Sequence, residues 1–259
     1  MSRLVLLLLA AVALWGAPAT AQSAFDPFGL ASIDERPGAS VPMDGEFVDS
    51  AGHRRTLKEI ANGRPLVLAP VLHECPNLCG VTLAGLADAI DKQPLAPGRD
   101  FVLVVFGIDP AEGPDAAAAD LARMQQRASG AALTDAVALV GGEQSVRAVT
   151  DAMGFRYAWD EGIGQYAHVA AIALLTPDGR LSSWLYGLSP EPDELAQAIA
   201  AAGEGRTGSW TDQLLLLCYH YDAQTGRYTT KVETLLKIAA AMTVAALALL
   251  IWRLRSRFA

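Results

Sequence analysis

A pair of cysteines constrains the fold of this chain more than any other feature of its sequence. Cys75 and Cys79 lie in the stretch 73–80, which reads His-Glu-Cys-Pro-Asn-Leu-Cys-Gly. The apolar run 65–72 before them predicts a buried strand, because it is short, rich in Val and Leu, and bounded by Gly and Pro. Apolar residues then recur at helical spacing, at Cys79, Leu83, Leu86 and Ile90. The dithiol is therefore predicted where a strand gives way to a helix.

Such a junction favours reactive sulfur. The first N–H groups of a helix have no partner within the helix, and the helix dipole stabilises negative charge there. A thiol at this position ionises more readily, so that it attacks disulfides or binds metal ions near neutral pH. A plain structural disulfide between Cys75 and Cys79 is the alternative interpretation of the pair.

Strands and helices alternate through the middle of the chain. The apolar runs 101–108 and 169–176 predict buried strands, and 181–186 predicts a further strand after a tight turn. Helices are predicted over 79–90, 114–127, 143–153 and 190–202. This alternation predicts an α/β fold with a mixed central sheet. The formal net charge of −8, with no basic stripe in the middle of the chain, argues against nucleic-acid binding.

The N-terminus has the pattern of an export signal. Arg3 precedes the apolar stretch 4–15, and the small residues 19–21 form a cleavage site, which together are typical of a secretory signal peptide removed after Ala21. Export places the cysteines in an oxidising compartment, where a disulfide between them can form.

The C-terminus predicts a membrane anchor. Residues 234–252 are nearly all apolar, with Lys237 as the one charged residue. As a helix they would span about 28 Å of a hydrocarbon core that is about 30 Å thick. The arginines at 253, 255 and 257 predict that the C-terminus lies in the cytoplasm. The alternative for this stretch is an amphipathic or core helix.

The ordered set of motifs resembles the Sco/SenC family of copper proteins, from about residue 45 to about residue 202. The matching pieces are Cys75-Pro76-Asn77-Leu78-Cys79, Asp109-Pro110 after the second apolar run, and His168 before the late strand and its Pro-Asp-Gly turn. The resemblance implies a thioredoxin-like fold that binds one copper ion, as Cu(I) or Cu(II), through Cys75, Cys79 and His168. It also implies a role in delivering copper to the dinuclear copper centre of cytochrome oxidase, or in reducing that centre's cysteines.

Three positions depart from the family pattern. Gly80 stands where a second proline is usual, and His73-Glu74 replaces the usual Thr-x before the first cysteine. Ala167 precedes His168 where aspartate is common. Because ligand histidines rely on a partner that orients the ring, this last change is expected to affect affinity more than ligand identity.

The donor set suits copper and leaves a redox alternative open. Thiolates favour Cu(I), and imidazole is an accepted donor for Cu(II). On a helix, side chains four apart have Cβ atoms about 5–6 Å apart, whereas a disulfide needs about 3.5–4.5 Å. Metal binding and disulfide formation are therefore expected to compete for the same sulfurs. The alternative function is a thiol–disulfide oxidoreductase, with Cys75 as nucleophile and Cys79 as resolving thiol.

Three further features keep two interpretations each. His73 is either a fourth ligand or a residue that modulates charge. Asp109 either acts near the site or ends a strand with a turn. Cys218 and His220 share a metal site only if their stretch is not helical, since residues two apart face the same side only in an extended chain. The alternative is core packing or docking against the main domain.

These expectations divide the chain and locate it. The protein is expected in the bacterial inner membrane with a single span, with its globular domain in the periplasm and a copper-receiving oxidase subunit or other copper protein as partner. The predicted division is a signal peptide over 1–21, a linker over 22–44, a thioredoxin-like copper-binding domain over 45–203, a connector over 204–233, a transmembrane helix over 234–252 and a cytoplasmic tail over 253–259.

Overall fold

The computed structural model describes most of the predicted domain and some residues on either side of it. It describes residues 31–75, 79–127, 133, 135–208, 221–222, 227–228, 237 and 240–244, with the backbone alone for Cys79 and for residues 221–222 and 227–228. The helices are α1 (Leu57–Ala61), α2 (Cys79–Lys92), α3 (Pro114–Arg127), α4 (Glu143–Met153) and α5 (Pro192–Gly203). The strands are β1 (Ser32–Ile33), β2 (Phe47–Asp49), β3 (Arg54–Arg55), β4 (Leu66–Val71), β5 (Val102–Gly107), β6 (Val137–Val140), β7 (Phe155–Arg156), β8 (Ala158–Asp160), β9 (Gln165–Ala167), β10 (Ala171–Leu175), β11 (Leu181–Tyr186), β12 (Tyr221–Asp222) and β13 (Arg227–Tyr228).

A seven-stranded mixed sheet forms the centre of the domain, in the order β11-β10-β4-β5-β6-β2-β3. β4, β5 and β6 run parallel to one another, and the outer neighbours pair antiparallel. Every residue of β4 and β5 is buried, as expected for strands covered on both faces. The predicted mixed α/β sheet of thioredoxin type therefore fits the structure.

The predicted transmembrane helix is wrong as a part of the fold. Of residues 234–252, the structure describes 237 and 240–244, and the helical run 240–244 rises only about 7.5 Å along a helix axis. Among the described residues, no helix combines the length and the apolar character that crossing a bilayer requires. The signal peptide and the cytoplasmic tail, over 1–21 and 253–259, lie outside the described residues.

Residues 31–41 run along the domain and pair with it. β1 pairs antiparallel with β7. The Gly38 N–H donates to the Leu181 carbonyl at 2.8 Å, and the Val41 N–H donates to the Gly179 carbonyl at 2.9 Å. This segment thereby covers one end of β11. The domain boundaries themselves stay predictions.

The junction between strand and helix lies where the sequence places it. β4 ends at Val71, and α2 begins at Cys79. Phe47 of β2 packs edge-to-face on Phe106 of β5, with ring centroids 5.2 Å apart. Both rings are buried, so this pair forms part of the core that holds the parallel strands in place.

Candidate functional site

The predicted ligands come from segments that leave the sheet at one edge. Because β4 and β10 are antiparallel, with Leu68 opposite Ala173, the C-terminal end of β4 adjoins the N-terminal end of β10. Cys75 follows the first strand, and His168 precedes the second. This edge also carries the C-terminal ends of β5 and β6, which is where open α/β sheets place their binding sites.

The assignment of the three ligands stays a prediction. Residues 76–78 and the Cys79 side chain lie outside the described part of the chain. Among the side chains that are described, no group of three His, Cys, Asp or Glu residues could hold a metal ion. The fold thus brings the backbone positions of Cys75, Cys79 and His168 to one edge of the sheet.

A backbone carbonyl and burial together set the protonation of His168. Its Nδ1 lies 3.1 Å from the carbonyl oxygen of Val169. Since a carbonyl only accepts, the ring proton is on Nδ1, and the lone pair of the neutral ring is on Nε2. Burial lowers the pKa of His168, and the bond to Val169 opposes that shift in part. The ring is therefore neutral at neutral pH, which is the form that binds metals.

The backbone carbonyl of Val169 is thus the partner that orients the His168 ring. The lack of aspartate at position 167 predicts an imidazole without an orienting partner. The partner is a backbone carbonyl instead, which a pattern of side chains does not reveal. Phe155 supports the same ring, with centroids 6.2 Å apart, and packs in turn on Trp184 at 5.8 Å. Phe155 is a site-supporting residue that the sequence analysis missed, since it lies in the two-residue strand β7 with no periodic pattern around it.

Cys75 lies in the connection between β4 and α2. Hydrogen bonds hold the N-terminal part of this connection. The side chain is partly buried and packs against the core. Its N–H donates to the Leu72 carbonyl at 3.3 Å, and the preceding N–H, that of Glu74, donates to Oε1 of Glu112 at 2.7 Å. Burial raises the pKa of Glu112. Hydrogen bonds to its carboxylate from the backbone of Glu74 and of His73 offset that effect in part.

His73 is not available as a fourth ligand. Its Nδ1 lies 3.2 Å from Oδ2 of Asp120, and its Nε2 lies 3.0 Å from the carbonyl oxygen of Leu139. The imidazole is fully buried. Both ring nitrogens therefore contact partners within the protein, and neither is left for a metal ion. The fourth-ligand interpretation of His73 is therefore wrong.

Asp109 lies in the turn that ends strand β5, which agrees with the second of its two interpretations. Its Oδ1 accepts the N–H of Ala111 at 2.8 Å and closes the turn after β5.

Asp120 and Arg123 were missed by the sequence analysis. A signal for Asp120 does exist, because it lies on the buried stripe of α3 together with Ala117 and Met124, where a carboxylate needs a partner. Cys218 and His220 lie outside the described residues.

Solved structures of known proteins share this fold. A protein from Aquifex aeolicus VF5 superposes with a TM-score of 0.59 at 23% identity, covering 66% of this chain and 96% of its own. A second Aquifex aeolicus VF5 protein gives 0.54 at 22% identity, covering 65% and 99%. Arabidopsis thaliana ScoI with copper bound gives 0.50 at 20% identity, covering 65% and 98%. At such identities, these likenesses show the fold alone.

Sequence comparison identifies the family. No curated protein sequence matches the chain. The SCO1/SenC family model matches residues 34–204, which is well over half of the chain and includes both cysteines of the pair and His168. This match agrees with the thioredoxin-like sheet and with the placement of the two segments at its edge. The chain belongs to the SCO1/SenC family.

Proposed function

We propose that this protein is a copper carrier in which Cys75, Cys79 and His168 bind one copper ion for delivery to a respiratory cytochrome oxidase. Membership of the SCO1/SenC family supports the proposal. So does the copper bound to Arabidopsis thaliana ScoI, which shares the fold. A copper-receiving subunit of the oxidase is the partner that this function requires.

The observation that carries the proposal is the state of His168. The ring is neutral, its proton is directed to the Val169 carbonyl, and its Nε2 lone pair belongs to a residue at the edge where β4 and β10 diverge. Two thiolates and one imidazole form a donor set that accommodates Cu(I) as well as Cu(II). The residues present therefore fit copper by the chemistry of their donor atoms.

Copper titration of ligand variants tests this proposal. The reduced wild-type protein is expected to bind about one copper ion, in separate titrations with Cu(I) and Cu(II). Cys75→Ser and His168→Ala are each expected to weaken binding by more than the roughly 10–100-fold that loss of an orienting partner costs. His53→Ala is the matched control, because the His53 side chain is 73% exposed and lies in the turn after β2. Wild-type stoichiometry and spectra in both ligand variants would refute the proposal.

Thiol–disulfide exchange is the second candidate function, and one observation favours it. Cys79 is the first residue of the fourteen-residue helix α2, and a thiol at a helix N-terminus is activated for exchange. In this cycle Cys75, the more N-terminal thiol, attacks the substrate disulfide and forms a mixed disulfide. The activated thiolate of Cys79 then attacks the Cys75 sulfur, which closes the Cys75–Cys79 disulfide and releases the substrate thiol. Reduction of a model disulfide that is insensitive both to His168→Ala and to copper chelators would favour this function over copper carriage.

Export to the periplasm belongs to the same proposal and rests on the sequence of residues 1–21. Copper delivery by this domain would then take place outside the cytoplasm. Expressed in a bacterial host, the mature protein is expected to begin at Gln22. Mass spectrometry of the intact periplasmic protein measures this. A chain recovered from the cytoplasm with residues 1–21 still attached would contradict export.

A further inference from the structure

The connection between β4 and Cys75 is fastened to the rest of the domain by contacts that copper binding does not use. The imidazole of His73 bridges Oδ2 of Asp120 on α3 and the carbonyl of Leu139 on β6, at 3.2 and 3.0 Å. His73 is two residues before Cys75 in sequence. The ring therefore attaches the start of this connection to a helix and to a strand at the same time.

Both ring nitrogens of His73 have an oxygen partner within the domain. Nε2 lies against the Leu139 carbonyl, and Nδ1 lies against the Asp120 carboxylate. The side chain of His73 is 0% exposed, and that of Asp120 is 6% exposed. A pair buried this deeply holds its geometry, because separating the partners leaves a polar group in an apolar surrounding.

The backbone on either side of the His73 ring is held as well. One guanidinium nitrogen of Arg123, Nη2, donates to the His73 carbonyl at 2.9 Å and to Oδ1 of Asp120 at 3.0 Å. The N–H of Glu74 donates to Glu112 at 2.7 Å. Each of the two residues before Cys75 is thus bound through its backbone to a side chain of α3 or of the loop that leads into α3.

Strand β5 lies between β4 and β6 and leaves space for the His73 ring to reach Leu139. His73 follows β4, and its partner carbonyl lies on β6, so the ring must pass over the end of β5. The residue at that end is Gly107, where an added Cβ would lie 2.8 Å from Nε2 of His73 and 2.9 Å from the Leu139 oxygen. The absence of a side chain at this position is what lets the ring reach β6.

We infer that the network of His73, Asp120 and Arg123 is a positioning device for Cys75. It holds the chain where it leaves β4. The connection that carries Cys75 is therefore already ordered at the sheet edge before an ion binds. Preorganisation of this kind strengthens binding because less conformational freedom is lost on complex formation. The inference rests on the proposed function in that it takes Cys75 as the working thiol.

Alkylation of Cys75 tests the inference without any metal. In a Cys79→Ser, Cys218→Ser background, iodoacetamide labels Cys75 alone under native conditions, because the chain has three cysteines. Asp120→Ala is expected to raise the rate about tenfold by local opening of the connection. Arg123→Ala removes a side chain that is 51% exposed, so the variant is expected to fold, and it is expected to raise the rate about threefold. Asp120→Asn keeps an oxygen that accepts from His73 and should restore most of the protection.

The control separates positioning from general stability. Val149→Ala empties a buried position on α4 and destabilises the protein without touching the network. Its alkylation rate is expected to stay within about twofold of the parent, since global unfolding is rare under native conditions. Rates in Asp120→Ala and Arg123→Ala equal to that of Val149→Ala would overturn the inference.

Copper provides a second readout in the full-length protein. Asp120→Ala is expected to weaken copper binding about tenfold, the low end of the cost of losing an orienting group, and to shift the Cu(II)–thiolate absorption band. An unchanged affinity and band in this variant would count against positioning. If the wild type binds no copper, the proposed function fails, whereas the alkylation rates still decide whether the network positions Cys75.

Discussion

Replacing Phe155 with alanine is expected to lower the free energy of unfolding by about 3–5 kcal/mol, the cost of emptying a buried aromatic site. The ring is fully buried. It contacts Trp184, Tyr157 and His168, with centroid distances of 5.8, 6.0 and 6.2 Å. Urea denaturation measures the loss of stability. Copper titration of the folded variant is expected to show weaker binding, because the His168 imidazole loses the ring that packs against it.

Phe47→Ala is the matched control for Phe155. Phe47 is the same residue type, is also buried, and packs on Phe106 at 5.2 Å. It lies on β2, toward the opposite end of the strand order from β10 and β11. Its truncation is expected to cost a similar amount, about 3–5 kcal/mol, with copper affinity unchanged. Equal copper affinities in the two variants would mean that Phe155 contributes to the core without supporting His168.

Replacing Gly107 with alanine is expected to lower stability by about 1–3 kcal/mol through overpacking. The new Cβ would lie 2.8 Å from Nε2 of His73 and 2.9 Å from the oxygen of Leu139, which are the donor and the acceptor of one hydrogen bond. Either the ring or the β6 backbone has to move. Denaturant unfolding measures the loss, and faster alkylation of Cys75 would show that the displaced ring loosens the connection.

A second glycine shows what the same change does without a clash. At Gly203, the last residue of α5, an added Cβ would lie 3.7 Å from Pro65, an ordinary van der Waals contact. Gly203→Ala is therefore expected to keep stability or raise it by about 0.4–1 kcal/mol, because alanine restricts the unfolded chain. A loss at Gly107 no larger than the effect at Gly203 would contradict the steric argument.

The local pattern was sufficient for much of the fold. The apolar run 65–72 predicts β4, which the structure has as Leu66–Val71, and helical spacing from Cys79 predicts α2. Both inferences succeed because a buried strand and an amphipathic helix leave a signal within a few residues. The transmembrane helix is the prediction that failed, because among the described residues no helix has the length and apolar character that crossing a bilayer requires.

The roles of the two histidines show where such reasoning ends. A histidine two residues before a cysteine suggests a ligand, yet the partners of His73 are 47 and 66 residues away in sequence, on α3 and on β6. His168 lacks the usual neighbouring aspartate, and a backbone carbonyl orients it instead. The partners of His73 leave no trace in the residues next to it. The carbonyl of Val169 leaves none in residue type, because every residue has a backbone carbonyl.

The sequence by itself determined the family, the α/β alternation and the place of the dithiol between β4 and α2, because each depends on residue type and spacing over short distances. Only the tertiary structure decided which imidazole is engaged within the domain and which one has the proton arrangement of a ligand. That choice depends on which oxygens the folded chain brings to each ring nitrogen, from α3 and β6 for His73 and from the next residue for His168. It depends also on how far burial displaces the His168 pKa, a property of the assembled domain rather than of any segment.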